Sequence, residues 1–159
     1  MNMQPARTEI AAQAASIIDD MKGLEGPLLP ILHGIQEEFG YVPQEALPII
    51  ASKLNLSRAE VYGVVSFYHD YRKQPAGRHV LKLCQAESCQ SMGSDAVAAR
   101  LKQALGIDFH QTTSDGAVTL EPVYCLGLCA CSPAALLDGE VIGRIDADKV
   151  DEIVAEVRS

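Results

Sequence analysis

The chain contains no tryptophan, no cysteine before residue 84 and no uncharged run longer than the one from Pro122 to Leu137. Each shortage excludes something. That run holds Pro122, Gly127 and Pro133, and it is shorter than the roughly 18 apolar residues a membrane-spanning helix needs. Basic residues are scarce too: 13 Lys and Arg stand against 21 Asp and Glu, a formal charge of -8. Phosphate backbones and anionic membrane faces are bound by basic surfaces, so neither nucleic acid nor direct membrane insertion is expected. No Gly-x-Gly-x-x-Gly or Walker loop is present, which leaves nucleotide binding on this chain without support. The histidines (His33, His69, His79, His110) show no His-x3-His spacing, and Ser66 and the other hydroxyls have no recognisable base partner. No catalytic residue is expected.

What is there reads as an ordinary folded chain, since 48% apolar and 21% charged residues exclude disorder and collagen-like scaffolds. A length of 159 residues allows one domain or two small ones. Ile10 to Ile18 after Arg7 could pass for a leader. Gln13 and Ser16 interrupt it and Asp19-Asp20 close it, so it is expected to be mature helix in a cytoplasmic bacterial protein.

The first half has helical period. Ile10, Ala14, Ile17, Ile18 and Met21 predict one helix; Leu28, Ile31, Leu32, Ile35 and Phe39 predict a second, capped by Gly40. A third is expected between Pro43 and Leu54, starting late or kinking at Pro48, which lacks the N–H for an i to i-4 bond. Ser57-Arg58-Ala59-Glu60 is a capping-box sequence opening a fourth through Val61, Val64, Val65 and Tyr68. Phe67-Tyr68 make that helix apolar beyond what one face requires, which suits either a docking element or the core of the bundle. A polar stretch from Arg72 to Arg78 then predicts a linker, dividing the chain into a helical domain (1–74) and a second domain (75–159).

Beyond the linker the period changes. Strands are predicted over His79 to Leu83 and Val118 to Tyr124, each running into a cysteine, and a helix over Ser91 to Leu105. Ala134 to Leu137 and Val141 to Ile145 flank Asp138-Gly139-Glu140 as a tight hairpin. Asp146 caps a last helix through Val150, Ile153, Val154 and Val157. The expected class is therefore α+β, a small helical bundle followed by an α/β sheet layer.

The cysteines carry the chemistry. Five is an odd number, all lie in the second half and nothing suggests export, so reduced thiolates are expected rather than disulfides. Two close pairs stand out, Cys84-x4-Cys89 and Cys125-x3-Cys129. Each begins where a predicted strand ends and is expected to occupy the loop beyond. If those strands are neighbours, four sulfurs converge at one sheet edge. Four thiolates suit a [2Fe–2S] cluster or a tetrahedral zinc ion. Against zinc, neither pair has the compact x2 knuckle; against a thioredoxin-type dithiol, Cys-x-x-Cys is missing. Buried free thiols explain single cysteines but not two pairs. Cys131 is left over as a nearby non-ligand, although it could trade places with Cys129.

The ordered motifs resemble a known family. Leu28-Leu29-Pro30-Ile31-Leu32-His33-Gly34-Ile35-Gln36-Glu37-Glu38-Phe39-Gly40-Tyr41-Val42-Pro43 and Val61-Tyr62-Gly63-Val64-Val65-Ser66-Phe67-Tyr68 resemble the N-terminal signature of the 24-kDa-type subunit of NADH dehydrogenases. Cys84-x4-Cys89, Thr112-Thr113-Ser114-Asp115-Gly116 and Cys125-Leu126-Gly127-Leu128-Cys129-x3-Pro133 resemble its thioredoxin-like [2Fe–2S] ferredoxin domain. The resemblance implies one [2Fe–2S] cluster on Cys84, Cys89, Cys125 and Cys129 and single-electron exchange. It also implies a partner flavoprotein subunit carrying FMN, a [4Fe–4S] cluster and the NAD(H) site, with a large molybdenum or other catalytic subunit in the same complex. The compact length and the tail Cys129-Ala130-Cys131-Ser132-Pro133-Ala134-Ala135 are most similar to the gamma subunit of NAD-dependent formate dehydrogenases. Respiratory complex I and NAD-reducing hydrogenases are the alternatives.

Overall fold

The computed structural model describes residues 7–158, and its first elements are the helices α1 (Arg7–Met21), α2 (Leu28–Phe39), α3 (Ala46–Leu54) and α4 (Arg58–Phe67). Helix α2 stops at Gly40, which takes φ 77° and donates its N–H to the Gln36 carbonyl. A residue without Cβ meets no steric cost in that left-handed turn. Helix α3 resolves the question posed by Pro48: it begins at Ala46, so the proline falls in the first turn, where no N–H needs an intrahelical acceptor. Ser57 and Glu60 close both bonds of the capping box ahead of α4, at 3.1 and 2.8 Å.

The apolar faces of these helices meet in one core containing Ala14, Ile18, Ile31, Leu32, Ile35, Ile50, Val61 and Val65. Each fully buried Ile or Leu contributes about 1.5–3 kcal/mol of transfer free energy. The chain leaving α4 is stapled back onto this bundle. The Gln36 side chain donates to the Asp70 carbonyl at 2.8 Å and accepts from the Arg72 N–H at 2.7 Å. Phe67, Tyr68 and Tyr62 stay out of that core and lie on the surface at 74, 45 and 51% exposure.

The chain divides between Pro75 and Ala76. The second unit runs β1 (His79–Cys84), α5 (Glu87–Ser91), α6 (Ser94–Leu105), β2 (Gln111–Thr112), β3 (Val118–Val123), β4 (Ala135–Leu137), β5 (Glu140–Ile142) and α7 (Ala147–Arg158). Its sheet has the order β2-β3-β1-β4-β5, with β1 and β3 parallel and the other pairs antiparallel. Leu81 and Leu83 of β1, Leu120 of β3 and Leu137 of β4 share one core with Leu101 of α6 and Ile153 of α7. Asp138 (φ 52°) and Gly139 (φ 92°) form the two-residue hairpin turn between β4 and β5. Asp146 accepts from the Lys149 N–H at 2.9 Å as the cap of α7. Two elements are additional to those predicted, the single-turn α5 and the two-residue β2. Both are too short to show a period.

Candidate thiolate site

Strand β1 ends at Cys84 and lies parallel to β3, with Cys84 opposite Val123. Parallel strands finish on the same side of a sheet, so the segments that carry both cysteine pairs emerge at one edge. Beyond Cys84 the chain enters α5 rather than a loop, and Cys89 sits on that helix. This corrects the expectation of a loop: five residues suffice for one turn, which swings Cys89 back towards the strand end. Both Cys84 and Cys89 are buried, beside Ala134 and against Leu126 and Leu128. Ser94 locks the strand end to the start of α6, its hydroxyl donating to the Cys84 carbonyl at 2.5 Å and accepting from Gln85 Nε2 at 2.8 Å.

On the facing segment Cys125 takes φ 82°, a left-handed conformation that costs a residue with a Cβ about 1–2 kcal/mol. The backbone N–H groups of Cys125 and Leu126 both reach Cys84 Sγ, joined by the N–H of Ala86. Consecutive N–H groups aimed at one atom make an anion-binding concavity. Gly127 (φ 75°) continues the turn and donates its N–H to Cys125 Sγ at 3.4 Å. A Cβ there would meet only open space, so the conformation, not the room, calls for glycine.

Cys129 opens a 3₁₀ turn over Cys129–Cys131, and its sulfur stands 4.0 Å from that of Cys125. The Cys84 and Cys89 side chains hydrogen-bond one another, and Cys129 feels the charge of Cys89 as well as that of Cys125. The structure thus gathers the four expected residues as two touching pairs, one buried and one exposed. Cys131 is half-buried and anchored by its backbone, its carbonyl accepting from the Arg144 N–H at 2.7 Å. Among the described residues, no three His, Cys, Asp or Glu side chains close tightly enough to hold a single metal ion as they stand.

The thiols differ in acidity. Burial pushes Cys84 up, but the N–H of Ala86, the Cys89 thiol and the N–H groups of Cys125 and Leu126 together bring it below the ordinary thiol value. Cys129 is pushed up, first by its contact with the Cys125 sulfur and then by that neighbour's charge. Two hydroxyls overlooked in the sequence also belong here. Ser132 bonds Cys89 Sγ at 3.4 Å and the Cys129 carbonyl at 2.9 Å, and Ser88 bonds Ser132 and acts to lower the Cys129 pKa. Their one visible signal is adjacency, since Ser88 precedes Cys89 and Ser132 follows Cys131.

A sheet edge that gathers two cysteine pairs under backbone N–H groups defines an α/β domain of the thiolate-presenting class. The chain belongs to the thioredoxin-like [2Fe–2S] ferredoxin family, which matches residues 14–158. It is 36% identical over 154 residues to a subunit of the NADH-quinone oxidoreductase of Mycobacterium tuberculosis, a match covering 97% of this chain and 60% of that relative. It is 33% identical over 144 residues to the NADP-reducing hydrogenase subunit HndA of Solidesulfovibrio fructosivorans, covering 91% of this chain and 84% of that one. Among solved structures, a chain of an NAD+-reducing [NiFe]-hydrogenase in the H2-reduced state is similar at a TM-score of 0.70 and 26% identity. That likeness covers 82% of this chain and 22% of the hydrogenase chain.

Proposed function

We propose that this chain holds one [2Fe–2S] cluster on Cys84, Cys89, Cys125 and Cys129. In this reading it passes single electrons inside an NAD(H)-linked oxidoreductase complex and does no substrate chemistry of its own. The parallel register of β1 and β3 carries the reading, because it brings both cysteine pairs to one edge. The donor set fits the group. Thiolates are the ligands such clusters take, and two touching pairs suit two irons better than one ion. N–H groups on Cys84 favour the thiolate form that a ligand needs, and the Gly127 N–H points at Cys125 Sγ. The crowding that raises Cys129 is a repulsion that bound iron offsets.

When bound, the cluster supplies a one-electron couple. The protein's own residues hold the sulfurs, keep Cys84 and Cys89 from water and leave Cys125 and Cys129 at the surface facing a partner. That partner is a flavoprotein subunit with FMN, a [4Fe–4S] cluster and the NAD(H) site. The exposed Tyr62, Phe67 and Tyr68 of the helical unit offer it an aromatic docking surface.

The complex is of the NADH-quinone oxidoreductase or pyridine-nucleotide-reducing hydrogenase kind, the settings named for the relatives. The formate dehydrogenase expectation rests on the compact length and the tail Cys129 to Ala135, and the relatives do not support it. Among the described residues no helix is long and apolar enough to cross a membrane; the cytoplasmic setting is part of the proposal.

Anaerobically purified chain tests the reading. The expected product is brown, carries two irons and two sulfides per chain and gives a rhombic EPR signal after dithionite reduction. A colourless protein with one zinc per chain overturns it.

A further inference from the structure

The geometry points to Ser88 and Ser132 as positioning residues that set the reduction potential of the group held by the four cysteines, a role resting on the function proposed above. Ser132 is buried, at 8% exposure, between the two cysteine pairs. Its hydroxyl touches three partners: Cys89 Sγ at 3.4 Å, the Cys129 carbonyl at 2.9 Å and Ser88 Oγ at 3.2 Å. Ser88, one residue before Cys89 on α5, sits beside Cys129, where its hydroxyl acts to lower that thiol's pKa. One hydroxyl pair therefore spans from a sulfur of the buried pair to Cys129 of the exposed pair, through its carbonyl.

Proton bookkeeping gives this bridge a direction. With free thiols, the Cys89 S–H donates to Ser132, which turns its own proton to the Cys129 carbonyl. A thiolate at Cys89 has no proton to give, so only the hydroxyl can donate across that contact. The two serines carry two hydroxyl protons for two sulfurs, Cys89 and Cys129, and turning the Ser132 proton to Cys89 takes it from the Cys129 carbonyl. Each proton stays on its oxygen and is only turned towards sulfur; no bond to hydrogen is made or broken. A hydroxyl donating to sulfur stabilises the more negative, reduced state more than the oxidised one. The pair therefore raises the potential, and outer partners of this kind tune a metal centre without ligating it.

The test is an EPR-monitored redox titration of the cluster-loaded full chain as wild type, Ser88→Ala, Ser132→Ala and Ser132→Thr. Both alanine variants are expected to keep two irons per chain and to become harder to reduce. The expected size is about tenfold in the reduction equilibrium, which is about 59 mV for one electron. Ser132→Thr keeps the hydroxyl and is expected to restore the wild-type midpoint. A purely structural role would lower iron content and leave the midpoint in place. Unchanged midpoints in loaded alanine variants overturn the inference and leave the cluster assignment standing. A wild-type chain that takes up no iron overturns both. If Ser132→Ala sheds its iron, Ser88→Ala decides alone, a lowered midpoint supporting the role and an unchanged one refuting it.

Discussion

Cys84 faces Val123 across the parallel ladder of β1 and β3, and Cys125 follows only two residues beyond that rung. The starting points of the two cysteine pairs are therefore tied by backbone hydrogen bonds of the sheet. Sites built on strand ends are held more firmly than sites on loops.

Replacing Cys84 or Cys125 by Ser is expected to remove most bound iron and sulfide while leaving the far-UV helical signal of the full chain close to wild type. The helical core of the first unit contains no cysteine, which is why the two effects separate. Metal analysis beside circular dichroism checks it. Wild-type iron content and spectrum in both variants would sink the ligand assignment.

Ser57 accepts from the Glu60 N–H, and Glu60 accepts from the Ser57 N–H. Ser57→Ala is expected to cost about 1 kcal/mol by leaving an orphan N–H at the start of α4. A urea midpoint equal to that of wild type would show the cap to be silent. The Ser57 N–H, followed by its hydroxyl, also holds the Glu60 carboxyl below its ordinary range. The cap's carboxylate half is accordingly in place above that range and is lost as pH falls through the lowered value.

Asp19 receives Lys22 at 2.8 Å and Lys53 at 2.5 Å. The hydrogen bond from Lys22, followed by that from Lys53, lowers its carboxyl from 3.8 to about 2. The unfolded chain takes the proton more readily than the folded one, so Asp19 stabilises the fold above about pH 4. That contribution fades as pH falls from 3.8 towards 2. Carboxyl titration by NMR should find this midpoint, and Asp19→Asn should flatten the acid limb. High salt should narrow the difference, because the group is exposed. An ordinary carboxyl midpoint for Asp19 would contradict the ion pairs.

Gly77 lies against β3, and a Cβ there would come 2.9 Å from Val118 N and 3.0 Å from Val118 Cα. The obstacle is the backbone of a fully buried strand residue, which cannot swing aside. Gly77→Ala is expected to cost about 1–3 kcal/mol by overpacking. Gly23→Ala, which would meet nothing within 4 Å, serves as the control and should be close to neutral. Equal urea midpoints for the two variants would refute the close approach.

Much of this protein is visible in one dimension. Helix α2 occupies the residues its period marks, because its stop needs only Gly40 and its own carbonyls. The capping box and the Asp138-Gly139 turn are equally local, each satisfied by atoms within a few residues. The pairing of the cysteines is legible in the same way, as spacing. The short α5 and the serine bridge are not legible. Cys89 is turned inward by a single helical turn without a period, and Ser132 meets Cys89 from 43 positions further along the chain. The surface placement of Phe67 is not legible either, since an aromatic residue at a helix end reads alike whether a core or a partner awaits it.

The sequence by itself determined the longer helices, the caps at Gly40, Ser57 and Asp146, the thiol inventory and the shortage of basic residues, because these depend on residue type and short-range hydrogen bonds. Only the tertiary structure decided that β1 and β3 lie side by side and parallel, that two thiols are buried and two exposed, and that backbone N–H groups converge on Cys84. The physical reason is that strand pairing and burial are chosen by the packing of Leu81, Leu120, Leu101 and Ile153 into one core. That choice is made between residues distant in sequence, and no local pattern records it.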